Sequence, residues 1–217
     1  MCMSVSRKDF EVKINEVTEN LWLSYSYLKI CEKMFKDREE YLPQIASLKE
    51  YPPQIASLEE YSPRLLIMAL YEAGTLRLTR AYDQNKQNLG LLKIIGIVKS
   101  HYKIWDLQDI DTNQLQEDKE FVTREKNELV DRLIQLRDKA ISHTQSSLHC
   151  QISDSEIAEI LKDGFTAMEK NYNEILGKPR PSLCELFKLT NNGVEICNRY
   201  RQKIGLTPIE LKSEGID

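Results

Sequence analysis

The sequence predicts an all-α bundle, and three observations lead there. Apolar side chains recur at spacings of three and four through most of the chain. Runs rich in β-branched residues with a period of two are missing. Glycine is sparse, 8 of 217 residues, so the turn punctuation of a strand-rich chain is missing as well. A chain of this length makes one ordinary domain with room for an appendage, and it can bury a sizeable core.

The first helix is expected from Lys8 to Lys36, with Phe10, Ile14, Val17, Leu21, Leu28, Cys31 and Phe35 at helical spacing. Trp22 and the Tyr25/Tyr27 pair should lie half-buried on it. A ten-residue unit then occurs twice, Glu40 to Lys49 and Glu50 to Glu59, and a third copy opens at Glu60. Its prolines, Pro43, Pro53 and Pro63, suit the first turn of a helix and would break one internally. Solenoid repeats run to roughly 20–50 residues, so this is a local tandem duplication that lengthens a connection between helices. Short proline-started turns and a projecting arm are the expected result.

Ser62 and Pro63 read as the N-cap and first position of a second helix. Its apolar face is Leu65, Leu66, Ala69, Leu70, Ala73, Leu76 and Ala81. Arg80 and Asp83, three apart, can pair on the surface near its end. Asn88 can cap a third helix running to about Ile104, with Leu91, Leu92, Ile95 and Val98 inward. After a polar connection, Asp106 to Thr112, a fourth helix is expected from about Glu117, with Phe121, Leu129, Leu133, Ile134, Leu136 and Ala140 apolar.

The capping box Ser153–Glu156 opens a fifth helix through about Leu176, which Gly177-Lys178-Pro179-Arg180-Pro181 stops. A second capping box, Ser182–Glu185, starts a short helix. An Asn191-Asn192-Gly193 turn and another short helix to Ile204 follow, closed by Gly205 as a C′ glycine. The last dozen residues should fray. The expected organisation is a helical bundle over residues 1–177, with the duplicated decamer inserted at 40–59, and a helical extension over 178–217.

Charged residues make up 29% of the chain and the net charge is −4. Mild acidity argues against a protein that coats nucleic acid generally, but it allows an enzyme that meets RNA through one small basic cleft. The longest apolar run, Leu65 to Tyr71, is far too short to span a bilayer. Met1 to Lys8 lacks the apolar run of a secretory leader. The expectation is a soluble protein of the cytoplasm. Five cysteines (Cys2, Cys31, Cys150, Cys184 and Cys197) are scattered and never form a C-x-x-C pair. That supports neither a zinc site nor a disulfide framework, and reduced, mostly buried thiols are expected. No metal or cofactor site is predicted.

The chemistry concentrates between Leu133 and Thr144, where an apolar helical pattern runs into Arg137, Asp138, Lys139 and then His143. Only three histidines exist: His101 stands apart, and His143 and His149 have no carboxylate between them. Arg137 and His143 would sit about 120° apart around an ideal helix and about 9 Å along it. For both to act on one phosphate, the helix must end or bend near Ser142, or the arginine must wrap round. The weak helix formers Ser142, Thr144, Gln145, Ser146 and Ser147 make an end plausible there. The bland alternative is a basic last turn that complements the helix dipole.

The residue types suit RNA cleavage without a metal. An imidazole can take a proton from a 2′-hydroxyl or give one to a leaving 5′-oxygen. A guanidinium can hold the scissile phosphate and stabilise the charge that develops on it. One histidine cannot easily do both proton transfers, which makes a homodimer with a shared cleft attractive.

Arg137-Asp138-Lys139-Ala140-Ile141-Ser142-His143 resembles the R-polar-x(3–5)-H motif of the HEPN (higher eukaryotes and prokaryotes nucleotide-binding) superfamily. The R-D-K-x-x-x-H form is similar to its AbiU branch, linked to abortive phage infection. The upstream block Leu76 to Asp83, followed by Asn88-Leu89-Gly90-Leu91-Leu92-Lys93, also resembles that branch. The resemblance covers roughly residues 10–176; the decamer duplication and the tail after Gly177 are not among the features associated with it. It implies an up-and-down bundle of four to five helices, dimerisation and, in many members, a metal-independent endoribonuclease. By position, Arg137 would contact phosphate, His143 would be the catalytic histidine and Asp138 would orient both, with Lys139 and Thr144 as helpers. A defence or toxin role is implied, with an RNA such as tRNA or mRNA as substrate and a possible cognate antitoxin as partner. The rival reading is a non-catalytic interaction module that binds a partner protein or a nucleotide, since fold alone does not carry activity.

Overall fold

The structure is a computed structural model that describes residues 5–46, 66, 69–85, 87–105, 107, 110–141 and 181–211; over 35–46 and 139–141 it describes the backbone alone. The expected fifth helix, the N-cap at Ser62–Pro63, and residues 47–59 of the duplicated decamer lie outside these residues. Helix α1 is Arg7–Ala46, α2 covers residues 69–81, α3 is Leu91–His101, α4 is Thr112–Val122 and α5 is Glu128–Gln135. A π-helical segment, Leu136–Ile141, continues α5, and α6 is Leu183–Lys203. No strand occurs among the described residues, so the chain is an all-α bundle.

α1 and α6 pack extensively against each other. Phe10, Ile14, Val17, Leu21, Leu28 and Cys31 are buried on α1 as the spacing predicts. The helix is longer than predicted: it passes Pro43 and is described as far as Ala46. A proline removes one amide donor, and here the helix continues beyond it. Trp22 is more exposed than expected, at 47%, while Tyr25 and Tyr27 are half-buried.

On α2 the buried face matches the predicted one in part: Ala81 is fully buried, and Leu70 and Leu76 pack against the core. Tyr71, Gly74, Thr75, Leu78 and Tyr82 turn inward, whereas Leu66 is 50% exposed and Ala73 and Leu76 are half-buried. Gly74 explains the choice. A Cβ there would fall 2.9 Å from Leu28 Cγ and 3.3 Å from the Ser24 carbonyl oxygen. The absent side chain lets α2 lie against α1 closely enough for Ser24 Oγ to donate to the Gly74 carbonyl at 2.8 Å. The two tyrosines on this face reach partners with their hydroxyls, Tyr71 to the Pro181 carbonyl at 3.1 Å and Tyr82 to that of Leu189 at 2.8 Å.

The single fourth helix is in fact two. α4 starts from Asp111, whose side chain accepts from Asn113 N–H, and Thr123 to Asn127 interrupts it. Asn127 then caps α5 through Leu129 N–H and also donates to the Phe121 carbonyl at 2.8 Å. One short polar side chain thus ends one helix and starts the next.

The Asn191-Asn192-Gly193 turn is not a turn. α6 runs unbroken for 21 residues through it. Gly193 faces α1, where a Cβ would meet Leu21 Cδ2 at 2.8 Å. It is a close-approach glycine, not a break. The start and end of α6 follow the prediction. Ser182 and Glu185 form the capping box, and Gly205 takes φ +79°. Leu206 N–H bonds to the Arg201 carbonyl and Gly205 N–H to that of Gln202, the paired bonds of a Schellman close. Beyond it, Leu206 to Ile209 do not fray. Asn198 binds Ile209 at two points, donating to its carbonyl and accepting its N–H, both at 2.8 Å.

Cys31 and Cys197 are buried as expected, and burial pushes the Cys197 thiol up to about 12, which keeps it protonated and inert. Cys184 is exposed, contrary to the expectation, because it lies on the outer side of the first turn of α6. Cys2 and Cys150 lie outside the described residues. No helix among the described residues is long and apolar enough to cross a membrane.

Candidate functional site at the Arg137 corner

The corner between α2 and α3 is built by short polar side chains. Asp83 Oδ1 accepts from Asn85 N–H at 2.8 Å, and Asn85 Oδ1 accepts in turn from Gln87 N–H at 2.9 Å. Such side-chain-to-backbone turns fix a loop locally. Asn88 does not cap α3; its amide donates to Asp83 Oδ2 at 3.0 Å. Gly90 is the N-cap instead, and a Cβ on it would sit 3.0 Å from the Ala81 carbonyl oxygen. The missing side chain lets α3 begin directly against the end of α2. Gln84 fastens this corner to the next. Its amide donates to the Tyr82 and Val122 carbonyls at 2.7 and 2.9 Å, and its oxygen accepts from Arg124 N–H at 3.1 Å.

α5 approaches from the other side. Asp131 holds Arg124 Nε at 2.6 Å and Gln135 Nε2 at 2.6 Å, and Arg132 reaches Glu185 of α6 at 2.5 Å. The α-helical turn then widens into the π-helical segment Leu136–Ile141. Single π turns inside helices are uncommon and often mark functional positions, because the extra residue re-aims the side chains that follow. Leu136 stays fully buried, which anchors the segment, and Arg137 emerges beside it with its side chain 29% exposed.

Among the described residues, two carboxylates meet that arginine. Asp138 Oδ1 accepts from Arg137 Nε at 2.7 Å, and Asp83 Oδ2 lies 3.6 Å from Arg137 Nη1. The second contact corrects the sequence reading. Asp83 turns to Arg137, Asn85 and Asn88, while Arg80 points outward. The aspartate at the end of the first sequence block and the arginine of the second are thereby brought together. Asp83 was not among the site residues expected from the sequence. Its one local signal is the Asp83-x-Asn85-x-x-Asn88 pattern, which specifies a turn and says nothing of the arginine.

Of the expected site residues, the structure places Arg137 and Asp138 side by side. Lys139 lies in the π segment, with its side chain outside the description, and His143 and Thr144 fall beyond the described residues. His101 has a structural setting. Its Nε2 accepts from Val5 N–H at 3.2 Å, its Nδ1 lies 3.1 Å from the Ile97 carbonyl oxygen, and its ring stacks on Trp105. Among the described residues, no group of three or more histidine, cysteine, aspartate and glutamate side chains could hold a metal ion.

The family model HEPN AbiU2 matches residues 39–205. The chain belongs to the AbiU2 family of HEPN proteins. The match is shifted from the span read from the motifs, roughly 10–176: it begins at residue 39, past most of α1, and continues through the whole of α6 up to its closing glycine. In the structure α6 contributes Leu186, Leu189, Ile196 and Cys197 to the same core as α1, so its place within the family span has a physical basis. The Arg137 corner therefore belongs to a HEPN-type module. No curated protein and no solved structure matches the chain.

Proposed function

We propose that this AbiU2-family protein is a metal-independent endoribonuclease of a defence or toxin system, acting in the cytoplasm as a homodimer. The observation that carries the reading is Arg137, partly exposed on a π turn and oriented by Asp138 at 2.7 Å. A guanidinium held in this way offers a planar donor fork to a phosphate. In the proposed reaction His143 takes the proton of an RNA 2′-hydroxyl, whose oxygen attacks the adjacent phosphorus. Arg137 stabilises the negative charge that builds on the phosphoryl oxygens. The 5′-oxygen leaves with a proton from the second subunit's histidine, giving a 2′,3′-cyclic phosphate and a 5′-hydroxyl. Asp138 orients Arg137, and Lys139 and Thr144 assist. A cognate antitoxin would hold the enzyme in check.

Incubation of the wild type, Arg137→Ala and His143→Ala with total RNA in excess chelator tests this. Cleavage by the wild type alone, with cyclic-phosphate ends, is the expected result. A second reading, a non-catalytic interaction module, is favoured by the two carboxylates on Arg137, which could make it part of a structural ion network. No cleavage by a folded wild-type dimer on any RNA would select that reading. In a host cell without antitoxin, wild type should slow growth and the two variants should not.

A further inference from the structure

We propose that Asp83 is a positioning residue for Arg137, an inference that rests on the proposed role of Arg137 in holding phosphate. The two are 54 residues apart in sequence (137 − 83) and meet only through the fold. Asp138 holds Nε from the neighbouring residue at 2.7 Å. Asp83 meets a different nitrogen, Nη1, from the α2–α3 corner. The hydrogen bond at Nε and the longer electrostatic contact at Nη1, 3.6 Å, together bias the plane of the fork, and the plane decides whether two phosphate oxygens can be met at once.

The buttress is itself held. Asp83 Oδ1 is occupied by Asn85 N–H and Oδ2 by the Asn88 amide, so the carboxylate cannot rotate away without losing both bonds. Gly90, packed against the Ala81 carbonyl, and Gln84, bridging to α4, keep the corner in place. The arrangement has an electrostatic consequence. A second carboxylate lowers the attraction of Arg137 for phosphate while it improves the aim. Binding and rate should therefore respond in opposite directions when the charge is removed.

Asp83→Asn keeps an oxygen for Asn85 N–H and removes the charge. With a non-cleavable 2′-deoxy-substituted oligonucleotide, it should bind a few-fold more tightly than wild type at low salt. Its single-turnover cleavage rate at saturating RNA should fall about tenfold, as expected for a misaimed contact. Asn88→Ala, which loosens the same carboxylate without removing its charge, should slow cleavage and leave binding unchanged. In an Arg137→Ala background Asp83→Asn should change neither quantity. Loss of rate and binding together, or an equal effect of Asp83→Asn in the Arg137→Ala background, would overturn the proposal. If the wild type cleaves no RNA, the enzyme reading fails by itself. The positioning is then read from the Arg137 Nη–H resonances, on the side of the guanidinium that Asp83 meets. Several-fold faster hydrogen exchange in Asp83→Asn upholds it, and unchanged exchange overturns it.

Discussion

Two arginine–aspartate pairs in this protein share their chemistry and differ in almost everything else. Asp118 of α4 is 3% exposed, and its oxygens are filled by Arg199, Tyr200 Oη at 2.6 Å and Gln114 Nε2 at 3.1 Å. Burial pushes the Tyr200 hydroxyl up, and the Asp118 carboxylate beside it adds to the effect, so the phenol stays a donor. The carboxylate is the closed side of this pair: Arg199 is 39% exposed, but none of the partners can leave without stranding the buried Asp118 charge. At the Arg137 corner, one contact to the arginine is short and the other is 3.6 Å, and solvent reaches both the guanidinium and Asp138. Rearranging an exposed pair costs little. The closed pair can serve only to join α4 and α6, whereas the open one can take on a ligand.

Removing a carboxylate from the closed pair should have the largest effect on stability. Asp118→Ala strips Arg199 and leaves the buried Tyr200 hydroxyl without its acceptor, and should cost about 1–3 kcal/mol in urea unfolding. A loss under about 1 kcal/mol would show that water fills the gap and would dissolve the contrast. At the open pair the expected pattern is reversed. Arg137→Ala should lower RNA cleavage by about 10²–10³-fold and change stability by no more than about 1 kcal/mol. A large drop in melting temperature would make Arg137 a structural arginine like Arg199.

Arg132 and Glu185 lie between these extremes, part-buried and joining α5 to the capping box of α6. Partial burial pushes the Glu185 carboxyl up, but the Ser182 N–H and the Arg132 guanidinium outweigh it and hold it below its ordinary value of 4.5. A depressed carboxyl contributes its stability above the unfolded value and loses it as the pH falls through the folded one. Glu185→Gln should therefore be less stable than wild type at neutral pH and match it in acid well below 4.5. A pH-independent difference would place the effect in packing rather than charge.

The smallest effects should be favourable. Thr75 is fully buried and its hydroxyl has no hydrogen-bond partner, the opposite of the saturated Asp118. Thr75→Val should stabilise by about 1 kcal/mol. Gly96 is exposed within α3, and a Cβ on it would meet nothing within 4 Å. Gly96→Ala should add about 0.5–1 kcal/mol from helix propensity. The corresponding change at Gly193, against Leu21, should not show that gain.

What the sequence by itself determined is the part governed by contacts a few residues apart. The helical character of the chain, the Ser182–Glu185 box and the Gly205 close depend on bonds spanning six residues or fewer and could be read from spacing, while the place of Asp138 beside Arg137 was implied by the family resemblance. The tertiary structure decided which face of each helix turns inward and which distant residues meet. Leucines marked the face of α2, but Gly74 allowed a closer approach to α1 and put Tyr71 and Tyr82 inside. Gly193 reads as a turn from its neighbours and is a contact surface in the fold. Asp83 reads as a partner for Arg80 and belongs to Arg137. The physical reason is common to all three. A side chain's local pattern states what it can do, and the packing of a second helix against it selects which of those options has the lower free energy.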